Sequence, residues 1–554
     1  MSESSDVLDF LTNAGLKPGI NWRRELEELI NDIAMRDGLS CKQVAQCKEV
    51  QEVLKNPKLT SPRKLELVKD VLQKKRYPMY SKAKAAFDKE LRELKLSPKL
   101  KVKHTPYFED TRLSVGISDD DKGSEEVRTS LKKLEGAELV RNAFNPALAV
   151  EFDGRRRDFA FRQGKRDFFA QTYQVGTSST KKGRVTKTKG KITSVARTSV
   201  ASSGFYPRKI IVEKSVAEAP LTKEILAKHQ NAHVEFADDI RTSKGDFRPD
   251  ELIVAEQKSN FIKRCPGTPK YRCCDYYVLN IGIGCDINCT YCYLHHYMNT
   301  PNIAYVNIDK LIEEVKIFCA SKPDKTIRLG SGEFVDSIGF EKIAPYNELL
   351  IPALSQIPNL LFEVKTKSAK IDDLLSLEHN SRVAVSFSLN SREVIEKEES
   401  EADLLDERLK AAKRCQDAGY KIGFHFDPLI YYKDWEQGYK EVIDMLFEYV
   451  EPKNIAWISL GALRFNKALK PIIQKKFPKS RIIYEEMVPG LDGKLRYFVA
   501  IRKKMFSTLN ENIRSYSKDI PVYLCMEGKE LAEEVGAIPA LALINLKVFS
   551  FSDD

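Results

Sequence analysis

At 554 residues the chain is too long for one ordinary domain, and two or three are expected. A hydrophobic fraction of 42% is enough for a sizeable core and excludes wholesale disorder. No apolar run reaches the ~18–20 residues a membrane helix needs. The longest, near Ala537–Leu546, contains Pro539 and stops at Lys547. The start, MSESSDVLDF, has neither the basic head nor the apolar core of a secretory signal, so the cytoplasm is the expected compartment, with no membrane partner. The net charge is +11, and the stretch from Arg155 to Val200, with 13 basic and 2 acidic residues, accounts for all of it. So local an excess points to an anionic partner.

In chain order, residues 1–145 read as a mainly helical region able to bind nucleic acid. Trp22, Leu26, Leu29 and Ile30 share one face, as do Leu65, Val68, Val71 and Leu72, with Ser61-Pro62 as a helix start. A short alternating stretch, Leu113–Ile117, precedes a Glu/Lys-rich helix ending near Leu139. Residues 146–205 read as a basic flexible linker. Phe159, Phe161, Phe168 and Phe169 stand beside Arg155–Arg157, Arg162, Lys165 and Arg166, a mixture suited to phosphate contacts and base stacking. Residues 206–275 form a pre-barrel segment with part of a cysteine group. Residues 276–554 then repeat strand, loop and helix, with a C-terminal extension. Strands are predicted at Tyr276–Ile281, Thr326–Ser331, Leu360–Thr366, Arg382–Asn390, Lys421–Leu429 and Asn454–Leu463. Helices are predicted at Leu404–Ala418, closed by Gly419, and at Asp434–Val450, with Asp434 as N-cap. Six successive βα units imply an α/β chain with a parallel sheet, open or curled into part of a barrel, and functional groups at the C-terminal strand ends.

The eleven cysteines are an odd number in a chain with no signal peptide, so metal binding or catalysis is a better expectation than a disulfide framework. Six of them, Cys265, Cys273, Cys274, Cys285, Cys289 and Cys292, lie within 28 residues. The run from Gly284 to Tyr293 reads GCDINCTYCY and directly follows the first predicted strand. Three thiolates on one short loop hold three corners of an iron–sulfur cluster. Such clusters usually have four cysteine ligands, so one iron is left open for a ligand from outside the protein. Structural zinc, the simpler alternative, usually shows paired two-ligand clips.

This spacing resembles the radical S-adenosylmethionine (SAM) signature. The resemblance implies a [4Fe–4S] cluster on Cys285, Cys289 and Cys292, SAM chelated at the open iron, and a 5′-deoxyadenosyl radical that abstracts hydrogen. It also implies a partial (β/α)6 barrel. Further segments narrow it: Tyr305-Val-Asn307, Arg328-Leu329, Phe387–Asn390, Ala418–Phe424 and Asp434–Tyr439 resemble the spore photoproduct lyase family from about Lys209 to Glu527. Members of that family reverse a UV-induced thymine dimer in DNA, so the resemblance implies a lyase acting on nucleic acid, DNA before RNA. An external electron donor such as a flavodoxin or ferredoxin is implied as well. By the same resemblance Lys365 and Ser388 bind SAM, and Tyr291 and Tyr293 stand near the radical relay.

One position departs from the family. Where its members carry a hydrogen-donating cysteine, this chain has Glu333, in the turn Gly330-Ser-Gly-Glu333. A carboxylate cannot donate a hydrogen atom from sulfur, but it can bind the SAM ammonium, as in the Gly-Gly-Glu motif of many radical SAM enzymes. Cys265, Cys273 and Cys274 are then the spare thiols, as hydrogen donor or as ligands of a second metal. His295 and His296 read as neighbours of the cluster loop rather than ligands. Two further readings stay open: a radical SAM enzyme modifying RNA or protein, and a nucleic-acid-binding protein with a structural or redox-sensing cluster. With every cluster and SAM residue after 280, the sequence implies that residues 1–205 are separable from SAM cleavage.

Overall fold

A computed structural model describes residues 9–109, 113–117, 125–136, 205–238, 250–267, 270–271, 274–297 and 302–538. Cys273 and the basic stretch at 155–200 lie outside these residues. Among the described residues no helix is long and apolar enough to cross a membrane.

The centre of the fold is an eight-stranded sheet. Seven strands run parallel in chain order: Tyr277–Leu279, Ile327–Gly330, Leu360–Thr366, Val383–Ser388, Lys421–Leu429, Ile455–Ala462 and Val522–Leu524. Ile262–Arg264 adds one antiparallel edge. All six predicted barrel strands are present, within about two residues at each end. They were readable because helices cover a parallel sheet, so its strands appear as nearly unbroken apolar runs. Val383–Ser388 and Ile455–Ala462 are buried at every position. The order makes a partial barrel that does not close between Ile262–Arg264 and Val522–Leu524 among the described residues.

The connecting helices follow the predicted faces. Leu405–Asp417 buries Leu405, Leu409, Ala412 and Cys415, and Gly419 follows it with φ +89°, a conformation a glycine adopts without strain. Trp435–Tyr449 occupies the next predicted helix, but Asp434 is left-handed (φ 64°, ψ 19°) and its side chain makes no capping bond. The expected cap is therefore absent.

The segment before the barrel is more ordered than its sequence suggests. Lys209–Glu213, His233–Ala237 and Glu251–Ala255 form a parallel sheet, joined by Asn302–Tyr305 and then by antiparallel Gly282–Ile283. The last two strands flank the cysteine loop, so that loop leaves and re-enters this second sheet.

The N-terminal helices Ile20–Asp37, Cys41–Ala45, Lys48–Lys55 and Ser61–Arg76 have their own small core around Leu26, Ile30, Val68 and Leu72. Leu113–Ile117 pairs with Leu100–His104 as a hairpin, and Phe87, Phe108 and Leu113 belong to the barrel core. Polar contacts complete the attachment. Lys470 binds Asp32 at 2.7 Å and Glu28 at 3.0 Å, and Arg76 donates to the Glu485 carbonyl at 2.7 Å. The Glu486 carboxylate accepts from the Met79 and Tyr80 amides at 2.9 and 2.7 Å. It thus satisfies the open N-terminus of helix Pro78–Glu93 from a distant part of the chain. Glu109 binds Arg502 at 2.8 Å, and both are fully buried. The expectation that residues 1–205 are separable as a unit is amended by these contacts.

Candidate active site

The sheet gathers its chemistry at the C-terminal strand ends, as the topology requires. Ser388, His425, Ser459 and Tyr523 are register partners on four adjacent strands. All four line one cavity of about 360 Å³. Cys285, Cys289 and Cys292 line the same cavity, as do Tyr291, Tyr293, Glu333, Lys365, Cys265 and Cys274. Residues far apart in the chain are therefore brought to one place.

The cysteine loop is held at several points. Gly284 opens it with φ +130°, and a Cβ there would lie 2.0 Å from the Asn302 side chain, so only glycine fits. The Gly284 amide donates to the Phe334 carbonyl at 3.0 Å, joining the loop to the Glu333 turn. The Thr290 amide donates to the Glu398 carbonyl at 2.9 Å. His295 Nε2 lies 2.9 Å from the Cys289 carbonyl, and Lys476 donates to His295 Nδ1 at 3.1 Å and to Asn288 at 2.9 Å. His295 thus braces the loop, as expected of a neighbour rather than a ligand. Burial pushes all three thiols up, Cys289 to about 12. Among the described residues no three His, Cys, Asp or Glu side chains converge on a point suited to a single ion. The three sulfurs instead border a shared cavity, a donor set that fits a multi-iron cluster better than one zinc.

The two tyrosines are anchored as well as packed. Tyr291 donates to the Glu399 carboxylate, and Arg408 binds the same carboxylate at 2.6 Å. Arg408 also donates to the Ser388 carbonyl at 2.8 Å, which ties the fourth parallel strand to Tyr291. Tyr293 donates to the Glu333 carbonyl at 2.6 Å. Lys365 Nζ lies 3.5 Å from Glu333 Oε2. Burial works against the Lys365 charge, but Glu333, Glu363 and Asp427 together hold its pKa above the usual value.

Below this pair lies a charged floor that sequence reasoning missed. Arg328 binds Glu363 at 2.9 Å and packs 3.9 Å from the Trp457 ring centroid. Glu363 also binds His425 at 2.7 Å, and His425 reaches Ser459 at 2.7 Å. Burial opposes the Glu363 charge, yet Arg328 and His425 hold its carboxyl well below the usual range. Burial lowers the His425 pKa against the opposing pull of Glu363. Asp427 pairs with Arg464 at 2.9 Å, and Arg464 also reaches the Cys525 sulfur at 3.5 Å. A charged residue inside an apolar strand, such as Glu363 in LLFEVKT, was the available signal. Cys525 directly follows the last strand, Val522–Leu524.

Residues 205–490, a little over half of the chain, match the family model described as spore photoproduct lyase. The chain belongs to the spore photoproduct lyase family. Curated relatives carry the same name. The protein of Geobacillus sp. (strain Y412MC61) is 27% identical over 328 residues, spanning 56% of this chain and 95% of the relative. That of Bacillus subtilis (strain 168) is 26% identical over 295 residues, spanning 51% and 85%. Among solved structures, a spore photoproduct lyase complexed with dinucleoside spore photoproduct aligns over 58% of this chain and 100% of its own, at TM-score 0.52 and 24% identity. Another, with bound AdoMet and the same dinucleoside, aligns over 58% and 99% at TM-score 0.52 and 23% identity. At that identity the likeness establishes the partial barrel. Family membership makes the chain a radical SAM lyase, and residues 1–204 lie outside the matched region.

Proposed function

We propose that this lyase repairs a UV-type pyrimidine lesion in DNA, using a [4Fe–4S] cluster on Cys285, Cys289 and Cys292 together with SAM. The observation that carries the reading is the single cavity that holds the three cluster thiols, the Glu333–Lys365 pair and the anchored tyrosines. The cluster and SAM, when bound, supply a hydrogen-abstracting 5′-deoxyadenosyl radical. The protein's part is to bind, orient and shield. Glu333 and Lys365 present one negative and one positive group side by side, which matches the ammonium and carboxylate of an α-amino acid. Ser388 supplies a hydroxyl beside them. Tyr291 and Tyr293 keep their rings against the cavity because Glu399 and the Glu333 backbone hold their hydroxyls. Cys265 and Cys274 remain in this reading as cavity thiols, packed with Cys285, Cys292 and Tyr293 around Tyr276. A second metal on them is not part of it. The electron enters from an external low-potential donor such as a flavodoxin or ferredoxin.

Glu333→Gln is expected to weaken SAM binding by about tenfold or more while leaving iron content unchanged, because one charge-assisted bond to the ammonium is lost. Isothermal titration of the cluster-loaded protein with SAM measures it. Unchanged affinity removes Glu333 from the SAM site.

The function itself is tested with UV-irradiated oligonucleotides under anaerobic, reducing conditions, followed by mass analysis of the nucleotides. Repair of DNA lesions is expected. SAM cleavage with modification of RNA or protein, and intact lesions, would replace the DNA reading. No SAM cleavage on reduction would favour a structural or redox cluster.

A further inference from the structure

We infer that Cys525 is the hydrogen-atom donor that completes the reaction in this chain, in place of a thiol at position 333. The inference rests on the lyase reading above. A substrate left with a carbon-centred radical after hydrogen abstraction becomes a closed-shell product only by taking up a hydrogen atom. Of the X–H bonds lining this cavity, thiol S–H and phenol O–H bonds are the weak ones; the Tyr291 and Tyr293 hydroxyls are held by Glu399 and the Glu333 carbonyl, which leaves a thiol as the better source. Position 333 offers a carboxylate, which has none to give.

Among the described residues, three thiols outside the cluster set line the cavity: Cys265, Cys274 and Cys525. Cys265 and Cys274 share their apolar surroundings with the cluster ligands Cys285 and Cys292. Cys525 lies in the charged corner of the cavity, with Cys265 near enough to act on it electrostatically. It directly follows strand Val522–Leu524, and its amide donates to the Leu460 carbonyl at 2.8 Å, so its backbone is fixed to the neighbouring strand end. Its side chain is fixed too. Arg464 reaches the sulfur at 3.5 Å and grips the neighbouring Asp427 carboxylate through both oxygens at 2.9 and 3.1 Å. Gly461 lets Asp427 approach, since a Cβ there would lie 2.6 Å from its carboxyl carbon. The same corner acts electrostatically on Lys365, the partner of Glu333, and both line the one cavity. Burial and Asp427 push the thiol up against the opposing Arg464 charge. The sulfur therefore keeps its hydrogen at neutral pH, whereas a thiolate would have no hydrogen atom to transfer.

In the donating step the Cys525 S–H bond breaks homolytically and a C–H bond forms on the substrate. The thiyl radical left behind is reduced by one electron from the low-potential donor that the cluster already requires. One proton from solvent, passed by Asp427, restores the thiol. The thiol hydrogen exchanges with water, so its fate can be followed with deuterium.

The test uses the full chain with cluster and SAM, in D2O, with two readouts. In the first, a lesion dinucleotide is the substrate and deuterium in the repaired product is measured by mass spectrometry. In the second no substrate is added, and deuterium in the 5′-deoxyadenosine from uncoupled SAM cleavage is measured. The expected result is one solvent deuterium per repaired product in the wild type, falling by about tenfold or more in yield in Cys525→Ala. Deuterium in 5′-deoxyadenosine should fall as well, with iron content retained. Cys525→Ser, which preserves the shape, should behave like Cys525→Ala. If the wild type leaves the lesion untouched while deuterium in 5′-deoxyadenosine depends on Cys525, the lesion reading fails and the donor assignment stands. Unchanged deuterium in Cys525→Ala, or its loss in Cys265→Ala or Cys274→Ala with Cys525 intact, overturns the assignment.

Discussion

Replacing any one of Cys285, Cys289 or Cys292 with alanine is expected to abolish SAM cleavage and to remove most of the iron. The loop offers only these three thiols, so losing one leaves two protein ligands for a cluster that usually takes four. His295, just after the loop, is committed to the Cys289 carbonyl and to Lys476 and does not replace a lost thiol. Iron and sulfide content after anaerobic reconstitution, read with the visible spectrum, is the measurement. Full iron content and normal cleavage in a triple variant would end the cluster assignment. The family's cofactor would then lack a site in this chain.

Deleting residues 1–205 is expected to destabilise the barrel and not merely to remove a nucleic-acid handle. The cut takes away Glu109, leaving Arg502 buried with Glu527, and it takes away Asp32 and Glu28 from Lys470. Breaking a buried ion pair by removing one partner costs about 3–5 kcal/mol. Lys470 loses both its carboxylates, while Arg502 keeps Glu527 and the Tyr497 carbonyl, and the loss at Lys470 is a sizeable part of the ~5–15 kcal/mol that holds a typical domain together. Removing residues 155–200 alone spares every one of these ion pairs. That shorter deletion is expected to keep SAM cleavage and to flatten the salt dependence of DNA binding. On duplex DNA the slope should fall by ~0.9 for each phosphate that is no longer neutralised. Thermal melts of the two deletion proteins, with salt-titrated binding for the shorter one, separate the two roles. Equal melting temperatures for wild type and the long deletion would mean the ion pairs contribute little. An unchanged salt slope in the shorter one would make the basic stretch a spacer.

The barrel was legible because its strands are nearly unbroken apolar runs and most of them alternate with helices, although only the 3-10 turn Asp372–Leu374 stands between Leu360–Thr366 and Val383–Ser388. The Glu333 turn and the three-thiol loop stood out by motif and spacing, and both line the cavity. The second sheet was not. Its central strands are short, and Asn302–Tyr305 joins them only after the chain has passed through the cysteine loop. The charged floor was not legible either. Arg328, Glu363, His425 and Asp427 are separated in sequence and meet only because parallel strands end together. Cys525 lies far beyond the cluster loop, and a lone thiol in an apolar strand carries no mark of the Asp427–Arg464 pair waiting for it.

The short helix Leu469–Lys476 has charged contacts in two directions. Near its start Lys470 holds the N-terminal helices, and at its end Lys476 holds Asn288 and His295 in the cysteine loop. One rigid segment of about two turns therefore joins the region that lies outside the lyase family to the cluster loop. Free-energy linkage between two sites runs both ways. Whatever docking of the N-terminal helices contributes to the order of the loop, loading of the loop returns to docking. Oxygen damage at the cluster would then loosen a surface well away from it.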